Sequence, residues 1–360
     1  MQPVIPRARV EIDLGALQRN GASVARRAGV PLLPMIKADA YGLGAEAAVR
    51  ALEPLDPWGY GVASVPEGEE LRGWGVKRPI VVFTPLLDAD LPRARTAKLT
   101  PTLGFAEEIE GWRRGGGGPW HLAIDTGMSR AGVPWRQIAG VIDAVGRMPP
   151  QGAFTHLHSA QLNDGTIELQ EALFREAVGA LPSRPRFLHT DNSAAIVRKG
   201  RSQWDLIRPG IFLYGVGSGH GALIQPEPVV NLRAPIVEVR QLEPGDTVSY
   251  DATLRVERPT RIATLAIGYA DGYPRSLSEM GSVLIRDTPA PVAGRVTMDM
   301  TMVDVTTVPC EVGEVATLIG RGGNSLLTVE RVAEAAKMSP YELLTGLRSR
   351  AERVYSGTAG

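Results

Sequence analysis

What most restricts the fold of this chain is a rhythm. Short apolar runs recur at 32–36, 59–63, 80–83, 99–103, 120–124, 153–156, 187–189 and 211–214. Between most of them lies enough chain for a helix, as at 45–52, 135–145 and 167–181. In the last of these, Ile167, Leu173, Phe174, Ala177, Val178 and Leu181 fall on one stripe at helical spacing. Such alternation predicts a parallel sheet, because parallel neighbours need a crossover long enough to hold a helix. Eight runs suit closure into a barrel. An open sheet of six or seven strands would give nearly the same pattern.

After about Val229 the rhythm changes. Strand-like runs at 237–240, 246–249, 261–267, 282–285, 292–296, 302–305 and 314–319 are separated by turn signals such as Glu243-Pro244-Gly245-Asp246. One helix is expected over 328–344, with Thr328 as its N-cap. The expected division is an α/β domain over 10–228 and a mainly-β domain over 229–360. Residues 1–9 are expected to pack with the second, to which 7–12 offers a strand.

Charge and cysteine content narrow the function. Lys plus Arg, at 39, balances Asp plus Glu, at 39, which argues against a nucleic-acid binder that relies on a global basic field. The single cysteine, Cys310, cannot form an internal disulfide. No run approaches the ~18 apolar residues of a membrane helix. The first residues, Met1 to Arg7, have no apolar stretch behind their charge, so no signal peptide is expected. These features predict a cytoplasmic, ligand-handling protein with neither nucleic acid nor membrane as partner.

The strongest local feature is Met35-Ile36-Lys37-Ala38-Asp39-Ala40-Tyr41-Gly42-Leu43-Gly44. A lysine ends an apolar strand, and a tyrosine and glycines follow. One reading is a solvated lysine closing the strand. The other is a desolvated amine, its pKa lowered enough to serve as a nucleophile or imine partner. In a barrel, the C-terminal end of the first strand is where chemistry would lie.

This segment resembles the lysine motif of the pyridoxal phosphate (PLP)-dependent alanine racemases. Further segments resemble that family in its order: Val10-Glu11-Ile12-Asp13-Leu14, Asp125-Thr126-Gly127-Met128-Ser129-Arg130, Phe154-Thr155-His156, His189-Thr190-Asp191-Asn192-Ser193, Arg208-Pro209-Gly210-Ile211, Ile267-Gly268-Tyr269-Ala270-Asp271 and Gly294-Arg295-Val296-Thr297-Met298-Asp299. The resemblance implies a (β/α)8 TIM-type barrel followed by a mainly-β C-terminal domain. It also implies PLP as cofactor and interconversion of L- and D-alanine by a homodimer with shared sites. Cell-wall supply of D-alanine and alanine catabolism are both open as its purpose.

The resemblance assigns tasks residue by residue. Lys37 would hold PLP as an aldimine and then act as a base on one face of Cα. Proton return to the opposite face needs a second group, and that role falls to Tyr269 of the neighbouring subunit. His156 and Arg208 would tune the phenol electrostatically. Arg208 would face the pyridine nitrogen; without the family context it could equally be a rim arginine paired with Asp205. Tyr41, Ser193 and the backbone N–H groups of Gly210 and Ile211 would hold the phosphate. Arg130, Met298 and Asp299 would meet the substrate.

Several positions depart from the family pattern. Many members carry a carbamylated lysine where this chain has Ala123, so chloride, water or another acid is expected beside Arg130. A phosphate-side tyrosine aligns with Ser349. His158 replaces a small residue and Leu43 replaces a histidine, which leaves the pocket's preference for alanine over serine open. No metal is expected, although His156-Leu157-His158 is a spacing that ligates metals in some barrels. A PLP-dependent decarboxylase and a PLP carrier are the remaining alternatives.

Overall fold

The computed structural model describes residues 7–219 and 221–357. Residues 1–6 and 358–360, which belong to the expected terminal assignments, lie outside the described residues.

Parallel strands Tyr60–Val62, Ile80–Val82, Thr100–Leu103, His121–Asp125, Gly152–Phe154 and Phe187–His189 pair in sequence order. Two further segments close the ring. Residues 32–36 bridge to Gly61 on one side and to Ile207 on the other, with Leu33 N donating to Ile207 O (2.8 Å) and Ile36 N to Gly61 O (2.8 Å). Residues 205–209 then reach the last strand, where Asp205 N donates to Leu188 O (2.9 Å). The result is a closed (β/α)8 barrel. Helices such as Leu14–Ala28, Ala45–Leu52 and Thr166–Gly179 surround it. On the last, Ile167, Phe174 and Ala177 are buried as the stripe requires.

The expected eighth strand at 211–214 is displaced. Ile211–Tyr214 is a 3-10 helix, and the eighth barrel segment is 205–209, just before it. Gly210 breaks the extended chain with ψ near −101°, a conformation outside the strand region. The run is apolar because all four of its side chains are buried in that turn, where Tyr214 Oη donates to Met35 O (2.8 Å).

A mainly-β domain follows. Its sheet runs in the order Thr288–Pro291, Ser282–Ile285, Val315–Gly322, Val230–Leu242, Arg9–Asp13 and Glu352–Ser356. Thr260–Leu265 also pairs with Val230–Leu242 and with Thr301–Asp304. The predicted strand at 292–296 is reduced to a single bridge from Val292 to Val303. The predicted helix over 328–344 is two helices, Val329–Ala335 and Pro340–Thr345. Pro340 has no N–H to continue the first, and Ser339 starts the second with a capping box to Glu342. Thr328 caps the first, accepting from Arg331 N at 3.2 Å. Among the described residues, no helix is long and apolar enough to cross a membrane.

Candidate active site

A cavity of about 590 Å³ opens at the C-terminal ends of the barrel strands. Lys37, Tyr41, Arg130, His156, Ser193, Arg208, Gly210 and Ile211 all line it. Tyr269, Met298 and Asp299 do not. They lie on turns of the β domain, with Tyr269 37% and Met298 52% exposed. One chain therefore assembles the amine, the guanidinium and the hydroxyls, and presents its phenol elsewhere.

Lys37 leaves the end of segment 32–36 and enters an unusual turn. Ala38, Asp39, Ala40 and Tyr41 all have φ between 51° and 60°, the left-handed region. For residues with a Cβ this costs roughly 1–2 kcal/mol each. The surroundings hold it. Ala38 N donates to Glu67 Oε1 (2.8 Å), Ala40 N to Ile36 O (2.8 Å) and Ala45 N to Asp39 Oδ1 (2.7 Å). Ala40 and Tyr41 bury their side chains. Burial and the charge of Arg130 hold the Lys37 amine below the ordinary lysine range, with Glu67 opposing.

Arg208 is buried and lines the same cavity as this amine. Nη1 donates to His189 Nδ1 (2.8 Å) and His189 O (2.7 Å), and Nη2 to Thr155 O (2.8 Å) and Thr190 O (3.1 Å). A guanidinium has five N–H groups. These four bonds use the Nη hydrogens and leave Nε–H for a ligand. Burial lowers the guanidinium pKa to about 10, with Asp191 opposing and Arg130 reinforcing, so it remains a cation at neutral pH. Asp205 is not its partner; that carboxylate takes Arg184 Nη2 (2.7 Å) and Leu188 N (2.8 Å). Burial, reinforced by Arg208, Arg130 and Lys37, pushes His156 down to about 3. It is therefore a neutral imidazole at pH 7.

Next to Arg208 lies a small polar cradle. Gly210 N donates to Ser193 Oγ (2.8 Å), and a Cβ built on Gly210 would lie 2.3 Å from Tyr41 Oη. The Tyr41 ring packs at a tilt against Tyr214 and Tyr341, with centroids 4.7 and 6.0 Å away. Burial pushes the Tyr41 phenol up, so it stays a hydrogen-bond donor. Arg130 is engaged by no hydrogen bond or ion pair among the described residues, and Ala123 lines the cavity with it.

Three features escaped the sequence. Tyr341 lines the cavity beside Tyr41, whereas Ser349 does not. Phe83 and Phe154 face the Arg208 guanidinium at 5.7 and 5.3 Å. Glu67 reaches the Lys37 turn from a helix start; its Ser-x-x-Glu capping box, Ser64 to Glu67, was the available signal. His158 is at the rim, its Nδ1 2.7 Å from Ser159 Oγ. Among the described residues, no group of three or more His, Cys, Asp or Glu could hold a metal ion.

A closed barrel with a lysine of lowered pKa, a buried guanidinium and a hydroxyl cradle, joined to a β domain, defines a barrel enzyme suited to an anionic, carbonyl-bearing ligand. Residues 12–218 match the family described as alanine racemase, N-terminal domain, and residues 229–355 match alanine racemase, C-terminal domain. The chain belongs to the alanine racemase family. It is 36% identical over 355 residues to an alanine racemase of Deinococcus radiodurans, covering 97% of this chain and 99% of that one. A crystal structure of alanine racemase from E. faecalis superposes with a TM-score of 0.92 at 29% identity, covering 97% of this chain and 98% of that one. One from Bartonella henselae, with covalently bound pyridoxal phosphate, gives 0.91 at 28% identity and covers 98% of this chain and all (100%) of that one.

Proposed function

We propose that this chain is an alanine racemase that uses PLP and two opposed proton carriers, Lys37 and Tyr269. The observation that carries the reading is the pairing, in one cavity, of a lysine amine of lowered pKa with a buried guanidinium that keeps one N–H unused.

The residues suit PLP. Lys37 would hold it covalently. Ser193, Tyr41 and the N–H of Ile211 would take its phosphate in the cradle that has no room for a side chain at Gly210. Arg208 Nε–H would meet the ring nitrogen, and His156 would lie alongside. When bound, PLP supplies an electron sink for the pair left as the Cα–H bond of the substrate breaks. Arg208 offers donors and no acceptor, so an aromatic nitrogen facing it stays unprotonated. That weakens the sink and favours return of the proton to Cα over transamination.

Lys37 Nζ, whose pKa burial lowers, takes or returns the proton on one face of Cα. A single fixed base reaches one face only. Tyr269 Oη of a partner subunit serves the other, and its exposed position outside the cavity of its own chain supports a homodimer with shared sites. Arg130 binds the substrate carboxylate, and Met298 and Asp299 of the partner close the opposite wall. A chloride beside Arg130 takes the position that faces Ala123. The enzyme works in the cytoplasm, and its D-alanine serves cell-wall synthesis or alanine breakdown.

The test follows deuterium from solvent into Cα of each alanine enantiomer, with Lys37→Ala and Tyr269→Phe variants. Both should lose racemisation. Co-expressed, they should regain part of it, because a mixed dimer holds one site with both wild-type residues. Full activity of Tyr269→Phe in both directions would sink the two-base assignment. Bromide in place of chloride, located by anomalous scattering, tests the halide beside Arg130.

A further inference from the structure

We propose that Arg350 is a positioning residue for the racemisation: it locks the Tyr269 turn to the Met298–Asp299 turn, so that both present one rigid edge to a second copy. The inference rests on the reading of Tyr269 as the second proton carrier.

Arg350 is far from both turns in sequence, yet its guanidinium joins them. Nε and Nη2 form a two-pronged pair with Asp271 Oδ1 (2.6 Å) and Oδ2 (2.8 Å). Nη1 donates to Asp299 Oδ1 (2.6 Å) and Nη2 also to Met298 O (3.2 Å). Asp271 belongs to the three-residue turn Tyr269–Asp271 and is fully buried. Its Oδ2 also takes Gly268 N (2.9 Å), the N–H just before Tyr269. Arg7 approaches the same carboxylate at 3.4 Å. Burial acts to raise the Asp271 carboxyl, but Arg350, Gly268 N–H and Arg7 outweigh it and keep it ionised.

The two turns also meet backbone to backbone. Tyr269 N donates to Thr297 O and Ala270 N to Met298 O, both at 3.0 Å. Gly268 makes this possible, since a Cβ there would lie 2.3 Å from Thr297 O and 2.4 Å from Met298 O. Neither turn belongs to a strand, and the Tyr269 ring is exposed. The phenol's position is therefore set by the backbone beneath it, and that backbone is held by these bonds together with the planar fork of Arg350. A lysine could not reproduce the fork. Asp299 spends its described contacts on Arg350 and on Arg7 at 3.8 Å, so it acts here as a strut of this edge.

A misplacement of about 1 Å in a reacting group lowers rates by about 100-fold. The experiment compares wild type, Arg350→Met, Arg350→Lys and Tyr269→Phe as PLP-loaded enzymes. Arg350→Met should lower kcat by about 10- to 100-fold with a smaller change in KM, at unchanged visible absorbance per chain. The primary deuterium isotope effects carry the distinction. Slowing only the phenol-side transfer raises the effect for the enantiomer whose Cα–H faces Tyr269. It lowers the effect for the other, because the proton on Lys37 then returns before the slow step. Arg350→Lys should recover part of the rate and of the isotope symmetry. Equal isotope effects in both directions, with a rate loss matching the fraction of unfolded or PLP-free chain, would overturn the proposal, as would full activity. If Arg350→Met does not fold, Arg350→Lys decides by the same isotope criterion. A fully active Tyr269→Phe removes the underlying reading, whereas an inactive Tyr269→Phe beside isotope-symmetric Arg350 variants removes the Arg350 proposal alone.

Discussion

One histidine occupies a whole nitrogen of Arg208: Nη1 lies 2.8 Å from His189 Nδ1 and 2.7 Å from the carbonyl of the same residue. An arginine has no acceptor, so His189 Nδ1 is unprotonated and Nε2 carries the hydrogen. That hydrogen points at His121 Nδ1, 2.9 Å away. The guanidinium thus sets the tautomer of both rings. Arg208→Lys would supply one nitrogen where two, on opposite arms, now serve three carbonyls and an imidazole. Stability should fall by about 2–3 kcal/mol as buried acceptors lose their donors, and kcat should fall with it. Urea unfolding of the PLP-free protein and racemisation rates measure the two effects.

The same cluster predicts acid sensitivity. Burial pushes His121 down from 6.5 to about 3 and His189 well below 6.5, with the charge of Arg208 reinforcing both; His156 falls to about 3. In the unfolded chain these rings take up protons near pH 6.5, while in the folded chain His121 and His156 do not until about pH 3 and His189 is likewise held neutral well below 6.5. Between those values the unfolded state binds more protons, so stability falls as pH falls. Each ring contributes about 1.4 kcal/mol per pH unit, or about 4 for the three. Unfolding midpoints between pH 7 and 5 should show the decline. His121→Asn should make it shallower by about a third, and an unchanged slope would contradict the assignment.

Much of this was legible in the sequence because the barrel's strands are short apolar runs at regular spacing and its site residues end them. Lys37 follows such a run and His156 ends one, and the cavity gathers them with Arg208, which lies between the runs at 187–189 and 211–214. The runs also misled. Ile211–Tyr214 is as apolar as a strand, and only the Gly210 backbone makes it a helical turn. Tyr341 could not be placed, because its approach to Tyr41 depends on how the β domain is set on the barrel, which periodicity does not encode. Arg350 gave no signal at all: one arginine among Arg348, Arg350 and Arg353 near the C-terminal end reveals nothing of a buried Asp271 in a distant turn.

Glu67 supports the left-handed turn and tempers the amine at once. Oε1 takes Ala38 N (2.8 Å), and Oε2 takes Ala63 N (2.7 Å) and Ser64 N (3.1 Å). Glu67→Gln keeps the shape but turns one acceptor oxygen into a donor facing an N–H. Stability should drop by about 1–3 kcal/mol. The carboxylate charge raises the Lys37 pKa against burial and Arg130, so removing it lowers that pKa further. The pH midpoint for PLP reloading into the PLP-free protein should move to lower pH. A move upward would reverse the inferred sign.

Gly210→Ala isolates the cradle. Gly210 has a negative φ of −124°, so a left-handed backbone is not the obstacle, and the cradle leaves no space for a Cβ. The new Cβ would lie 2.3 Å from Tyr41 Oη and 3.2 Å from its Cζ. Tyr41 cannot easily yield, since it is buried and packed against Tyr214. The hydroxyl should be driven out of the cradle and PLP affinity should fall by about 10-fold or more, the loss of one good hydrogen bond to a charged group. Tyr41→Phe removes the same hydroxyl without crowding. If the two act through one contact, the double variant should bind PLP no more weakly than the weaker single variant. Absorbance titration of PLP into the four proteins decides it, and additive losses would show that Gly210 acts on the cofactor independently of Tyr41.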